Sequence, residues 1–295
     1  MVTGGGNHPH GADVSILGML AAIRQDKLST PTCAGIRNVL LNQSEMTMSA
    51  TPSDPHDLHH DHSLDPVVAE ALDAMESKDS FIAVGIILQG DPRDAQARFS
   101  LASRELFNQR KLTEMVWIGR AGVEFALRQA AAAASSDPAL QIEHLIFARK
   151  YAFNIASNLW PGWGDEAVEP TTADILAAVD LARVHRRLVE SESGAPDLLA
   201  NARWLIGALR LALGQEQTAH YEFETAKSLF ERAGQPACVW MAEGYLALAL
   251  QLMGTMAGEG LRRYEAALTE LRKQGDDGEF FADQLTTARR VFLAR

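Results

Sequence analysis

From residue 64 onward, apolar positions recur every three to four residues, in runs too long for strands and broken at short intervals by turn residues. This spacing predicts amphipathic helices. Val67, Val68, Ala71, Leu72 and Met75 share one face, opened by Asp65-Pro66. An acidic cap followed by proline at the first helical position is a start signal. It returns at Asp91-Pro92, where Ala95, Phe99, Ala102, Leu106 and Phe107 form the stripe, and at Pro138 after Asp137. Residues 81–88 are apolar throughout and fit either a strand or a buried helix. Their place between helices favours a helix closing at Gly90.

Thr113 begins a longer element with Met115, Val116, Ile118, Val123, Ala126 and Leu127 inward. Gly119 and Gly122 within it each cost about 1 kcal/mol relative to alanine, which is sensible where a neighbouring helix packs closely. Ile142, Leu145, Ala148, Ala152, Ile155 and Leu159 carry the next element to Trp160. Residues 160–170 are irregular. Thr171 or Thr172 caps a return helix ending near 192–194. Gly214, the Gly234-Gln235-Pro236 run, and Gly275 with Gly278 punctuate the C-terminal third of the chain. A final amphipathic helix over 280–293 buries Phe281, Leu285, Ala288 and Phe292.

The stretch 197–274 reads as two copies of one unit. Gly207 and Ala247 are 40 residues apart; Ala219 and Gly260, and Ala226 and Ala267, are 41 apart. Such a period signals stacked helical pairs. Residues 203–226, with Ile206-Gly207, Gly214, Ala219, Phe223 and Ala226, resemble the tetratricopeptide repeat. Residues 243–267 follow the pattern less closely, and 92–190 keep its rhythm alone. The resemblance implies an all-α fold, a right-handed α-solenoid of helical hairpins over 64–295 with a C-terminal capping helix. It also implies a noncatalytic adaptor holding a peptide or protein along a concave face built from the first helix of each pair. Trp204 sits one place from the family's tryptophan, Arg210 replaces an expected aromatic residue, and the period exceeds the family's usual one of about 34.

Composition supports helix over strand, because alanine and leucine dominate the 47% of hydrophobic residues. The net charge of −11 argues against nucleic acid or an anionic membrane as the main partner. No window reaches the roughly 20 apolar residues of a membrane span. Two distant cysteines, Cys33 and Cys238, fit a reducing compartment and no structural disulfide. The expectation is a cytoplasmic protein. Residues 1–63 read as a disordered tail and linker, and a start at Met46 or Met48 would leave 1–47 untranslated. The run from Asp54 to His62 holds four histidines among three aspartates, which reads as a solvated tail rather than a metal site. No cofactor, metal or catalytic residue is expected.

Two sets of candidate contact residues emerge. The loop beginning Trp160-Pro161-Gly162-Trp163 is longer than most helix connections and carries Asp165, Glu166 and Glu169. Its indoles either plug a gap between hairpins or meet a ligand. Lys150, Asn154 and Asn158 share one helix face, with Asn201 and Arg203 on the equivalent helix of the next pair. This set resembles the clamp by which some tetratricopeptide adaptors hold a C-terminal carboxylate. Two other readings stand beside the adaptor: an enzyme or small-ligand binder at residues 160–169, and a homodimer formed through the array edges or residues 280–293.

Overall fold

The first hairpin starts where the sequence places it. In a computed structural model, the carboxylate of Asp65 accepts a hydrogen bond from the Val67 backbone N–H at 2.8 Å, and Pro66 is the first residue of α1 (Pro66–Glu76). Asp79, Asp91 and Asp137 cap α2 (Ser80–Ile87), α3 (Pro92–Asn108) and α5 (Pro138–Asn158) in the same way. Each satisfies a backbone donor that a helix start would otherwise leave unpaired. The remaining elements are α4 (Leu112–Ala133), a single 3₁₀ turn (Pro161–Trp163), α6 (Thr172–Glu192), α7 (Pro196–Ala212), α8 (Glu216–Arg232), α9 (Pro236–Leu252), α10 (Ala257–Leu271) and α11 (Gly275–Leu293).

The structure describes residues 64–77, 79–192 and 194–294, which belong to one compact unit. Among them are eleven α-helices and no strand. The tail, the histidine-rich run and the alternative start codons lie outside the described residues. Each helix packs on its neighbours in sequence, and several also pack on the next but one. Most residues that the apolar spacing selects are buried, while Val67, Leu127, Ile142 and Leu145 are half-buried. Phe99, Met115, Ala152, Phe223, Phe230 and Phe281 are all fully enclosed.

The internal repeat is visible in the backbone. Pro196 and Pro236 open α7 and α9, 40 positions apart. Gly214 and Gly254 end those helices at φ +66° and +72°, and Gly234 and Gly275 follow the partner helices at φ +68° and +69°. A left-handed residue is needed at each of these ends, and glycine takes it without steric cost. An ion pair repeats with its charges exchanged. Arg203 of α7 meets Glu222 of α8 at 2.9 Å, and forty positions on Glu243 of α9 meets Arg263 of α10 at 2.7 Å. Lys227 adds a second cation to Glu243 at 2.8 Å. Burial would raise the Glu243 carboxyl, but the hydrogen bonds from Arg263 and Lys227 outweigh it and hold the group below its ordinary value.

Three expectations change. The final helix begins at Gly275, five residues before residue 280, and runs through Gly278. A Cβ at Gly278 would strike the Leu271 carbonyl, so this glycine permits a close approach rather than ending a repeat. Cys238 is buried and disulfide-bonded, against the reading of two unpaired thiols; Cys33 lies outside the described residues. The end helix is also more than a cover for α9 and α10. It packs on the 3₁₀ turn more than a hundred residues earlier in the chain.

Candidate functional site

The connection between α5 and α6 is held at several points. α5 ends at Asn158, and Trp163 Nε1 donates to the Ser157 carbonyl at 2.7 Å, folding the loop back over the helix end. Gly164 takes φ +79° and lies so close to Thr287 of α11 that a Cβ there would collide with the threonine methyl. Asp165 pairs with Arg110 at 3.1 Å. Arg110 itself occupies the left-handed region at φ 60°, between α3 and α4, with its guanidinium over the Phe107 ring. Thr171 and Asp174 then form a reciprocal cap at the start of α6. Asp174 accepts from the Thr171 N–H at 2.9 Å and its hydroxyl at 2.7 Å, and Thr171 Oγ1 accepts from the Asp174 N–H. This is the capping-box arrangement with aspartate in the third position. Thr113 of α4 donates to the other Asp174 oxygen at 3.0 Å, tying α4 to α6.

Trp160 is fully buried at the centre of an aromatic cluster. Its ring lies 4.6 Å from Trp163 and 5.5 Å from both Trp204 of α7 and Tyr245 of α9, all edge-on, with Phe292 of α11 at 6.4 Å. Trp204 and Tyr245 are also 5.5 Å apart. Offset and edge-on pairs add about 0.5–1.5 kcal/mol each beyond their buried area. Both indoles of the loop therefore pack between hairpins. The nitrogens of Trp160 and Trp204 and the hydroxyl of Tyr245 are buried without a hydrogen-bond partner among the described residues. Burial pushes the Tyr245 phenol well above its ordinary value.

Lys150 and Asn154 are exposed on α5, and Asn158 is half-buried one turn further on. Asn201 and Arg203 stand on α7 in different surroundings. Residues two apart on a helix point in different directions. Asn201 is buried, its Oδ1 unpaired among the described residues, and Arg203 turns to Glu222.

Two surface clefts flank the loop. One, of about 450 Å³, runs between it and α11 and is lined by Pro161, Asp165, Glu166, Glu169 and Arg290. The other, of about 580 Å³, faces the α3–α4 turn and is lined by Lys111, Thr113, Glu114, Glu166, Glu169 and Asp174. Lys111 is engaged by Glu76 at 2.7 Å. The sequence singles out the acids of the loop but not the walls opposite them, because nothing local ties Thr113, Glu114 and Arg290 to residues 160–169.

Two buried histidines also stand inside the array. Gln96 Nε2 and His144 Nδ1 are 2.6 Å apart. His185 Nδ1 lies 2.9 Å from the Arg149 carbonyl, beside the Arg149–Glu192 ion pair and the Phe153 ring. Burial pushes the His185 imidazole down to about 4, against a smaller upward pull from the Arg149 carbonyl. It is neutral at physiological pH and serves packing.

Among the described residues the chain is all-α, its successive helices packed on one another, with a terminal helix that returns to an earlier connection. No protein-family model matches it, and no curated protein does either. No helix among the described residues is long and apolar enough to cross a membrane.

Proposed function

We propose that this chain is a noncatalytic interaction scaffold, a tetratricopeptide-like array that holds a peptide or protein partner against the first helices of its pairs. The observation that supports this is the pair Lys150 and Asn154, exposed one turn apart on a helix whose opposite side is buried, with half-buried Asn158 one turn further on. An acidic group, such as a peptide carboxylate, suits that row. Affinity capture with the full chain, followed by mass spectrometry, identifies the partner. Lys150→Glu with Asn154→Ala should lose it while thermal stability stays within about 0.5 kcal/mol, as for surface changes generally. Capture that survives this variant undiminished would remove the row from the function.

A second reading, a small-ligand or catalytic site at residues 160–169, draws on the two clefts that share Glu166 and Glu169. Its test is ligand-induced thermal stabilisation from a metabolite panel, abolished by Glu166→Gln with Glu169→Gln.

A further inference from the structure

Opposite charges border the smaller of the two loop clefts without meeting. Arg290 of α11 lines one side, and Glu166 and Glu169 of the α5–α6 loop line the other. The Arg290 guanidinium reaches over the loop, its Nη2 lying 3.6 Å from where a Gly164 Cβ would stand. None of these three side chains has an ion pair or hydrogen bond among the described residues. Both carboxylates therefore stand more than 4.0 Å from the guanidinium. Asp165, next to Gly164 in the chain, is engaged by Arg110 at 3.1 Å. The rest of the lining is apolar, with Pro161 and Val168 buried and Val291 half-buried. At about 450 Å³ the cleft falls in the lower part of the range for small-molecule sites, roughly 300–1,000 Å³.

We propose that this cleft binds a free α-amino acid with an apolar side chain. The inference rests on the small-ligand reading of residues 160–169 and names the ligand class for it. The carboxylate of the amino acid meets Arg290, whose planar fork can donate two parallel N–H···O bonds to it. The ammonium meets Glu166 or Glu169, and the side chain lies against Val168 and Val291.

Each part of the ligand answers one part of the cleft. A simple cation would leave Arg290 without a partner, and a simple anion would face two glutamates. A wholly apolar molecule would strip water from three charges and return nothing to them. Glu166 and Glu169 also border the second cleft. Its two cations, Arg110 and Lys111, are already paired with Asp165 and Glu76, so only the smaller cleft offers both signs of charge unpaired. Arg290 stands on the terminal helix and the two glutamates on the earlier loop. A bound amino acid therefore fastens α11 to the connection it packs on.

The charges are exposed and hydrated, so binding is weak, with a Kd on the order of 1 mM. NMR or calorimetric titration of the full chain with L-leucine should show saturable binding. Leucinamide, which lacks the carboxylate, and N-acetylleucine, which lacks the ammonium, should each bind about fivefold more weakly. Arg290→Gln should remove the preference for leucine over leucinamide. Glu166→Gln with Glu169→Gln should remove the preference over N-acetylleucine. Both variants should keep the parent melting temperature, because all three side chains stand in water. Leucine should also slow amide exchange over 275–293 in the parent chain and leave it unchanged in Arg290→Gln. Absence of saturable leucine binding overturns the inference. So does equal binding of the three compounds, or a preference that survives the matching substitution. If the metabolite panel instead yields another ligand, lost with Glu166→Gln and Glu169→Gln, the small-ligand reading stands and the amino-acid assignment alone falls. If neither the panel nor leucine binds, both fall.

Discussion

His185 ties the fold to pH through one proton. The buried ring stays neutral down to about 4, whereas an imidazole in the unfolded chain takes up its proton near 6.5. Between those values the unfolded state binds more protons, so stability falls as pH drops from about 6.5 to about 4. Above that window this residue has no effect. Denaturant titrations at a series of pH values should show the decline, and His185→Gln should flatten the part that this ring supplies. Trp160 makes its contribution through packing. Replacing it with alanine should cost about 3–5 kcal/mol by thermal or denaturant unfolding. Trp160→Phe should cost less than half as much, because it keeps most of the ring contact and removes a buried N–H without a partner. Both residues were visible in the sequence. What the sequence left open was whether the Trp160 ring meets solvent or four other aromatic rings, because Trp204, Tyr245 and Phe292 are 44, 85 and 132 positions away.

Pairs of helices are spaced by their small residues, and equivalent positions in the two repeats are not equally tight. A Cβ on Gly207 would come within 2.8 Å of the Phe223 ring, a side chain that can shift. A Cβ on Gly260 would come within 2.7 Å of the Gln251 nitrogen and 2.8 Å of the Ala247 oxygen, and backbone cannot shift without moving α9. Gly260→Ala should therefore destabilise by more than Gly207→Ala, and the latter should fall near the lower end of the roughly 1–3 kcal/mol typical of overpacking. The corresponding position in the first repeat is Ala219, buried and accommodated, so α9 and α10 approach more closely there than α7 and α8. Elements were the most legible level. Asp-Pro starts, glycine ends and the apolar stripes gave the helices from α1 to α10 nearly as they stand. The start of α11 was misjudged because Gly275 and Gly278 look alike in sequence, whereas one turns the chain and the other lets two helix ends touch.

At the scale of the whole molecule, the decisive contact is the return of α11 to the 3₁₀ turn. Gly164 is its closest point, at φ +79° against Thr287. Gly164→Ala meets both a strained backbone and a collision. It should loosen α11 first. Amide exchange over 275–293 should accelerate, while exchange over 66–87 changes little, because α1 and α2 pack on neither α11 nor the 3₁₀ turn. Equal acceleration everywhere would mean that the chain opens as one cooperative unit and that the seam is not separable.

The sequence by itself determined the helices, their order and the 40- and 41-residue repeat, because caps, turn residues and amphipathic spacing act over a few positions and need no partner. It also put Lys150 and Asn154 on one face, since their spacing alone fixes that. Only the tertiary structure decided that Asn201 turns inward while Arg203 takes Glu222, that the tryptophan loop fills an aromatic core, and that α2 leaves Phe81 in water. Those outcomes depend on which surfaces meet across long separations, and packing of that kind leaves no local trace in the chain.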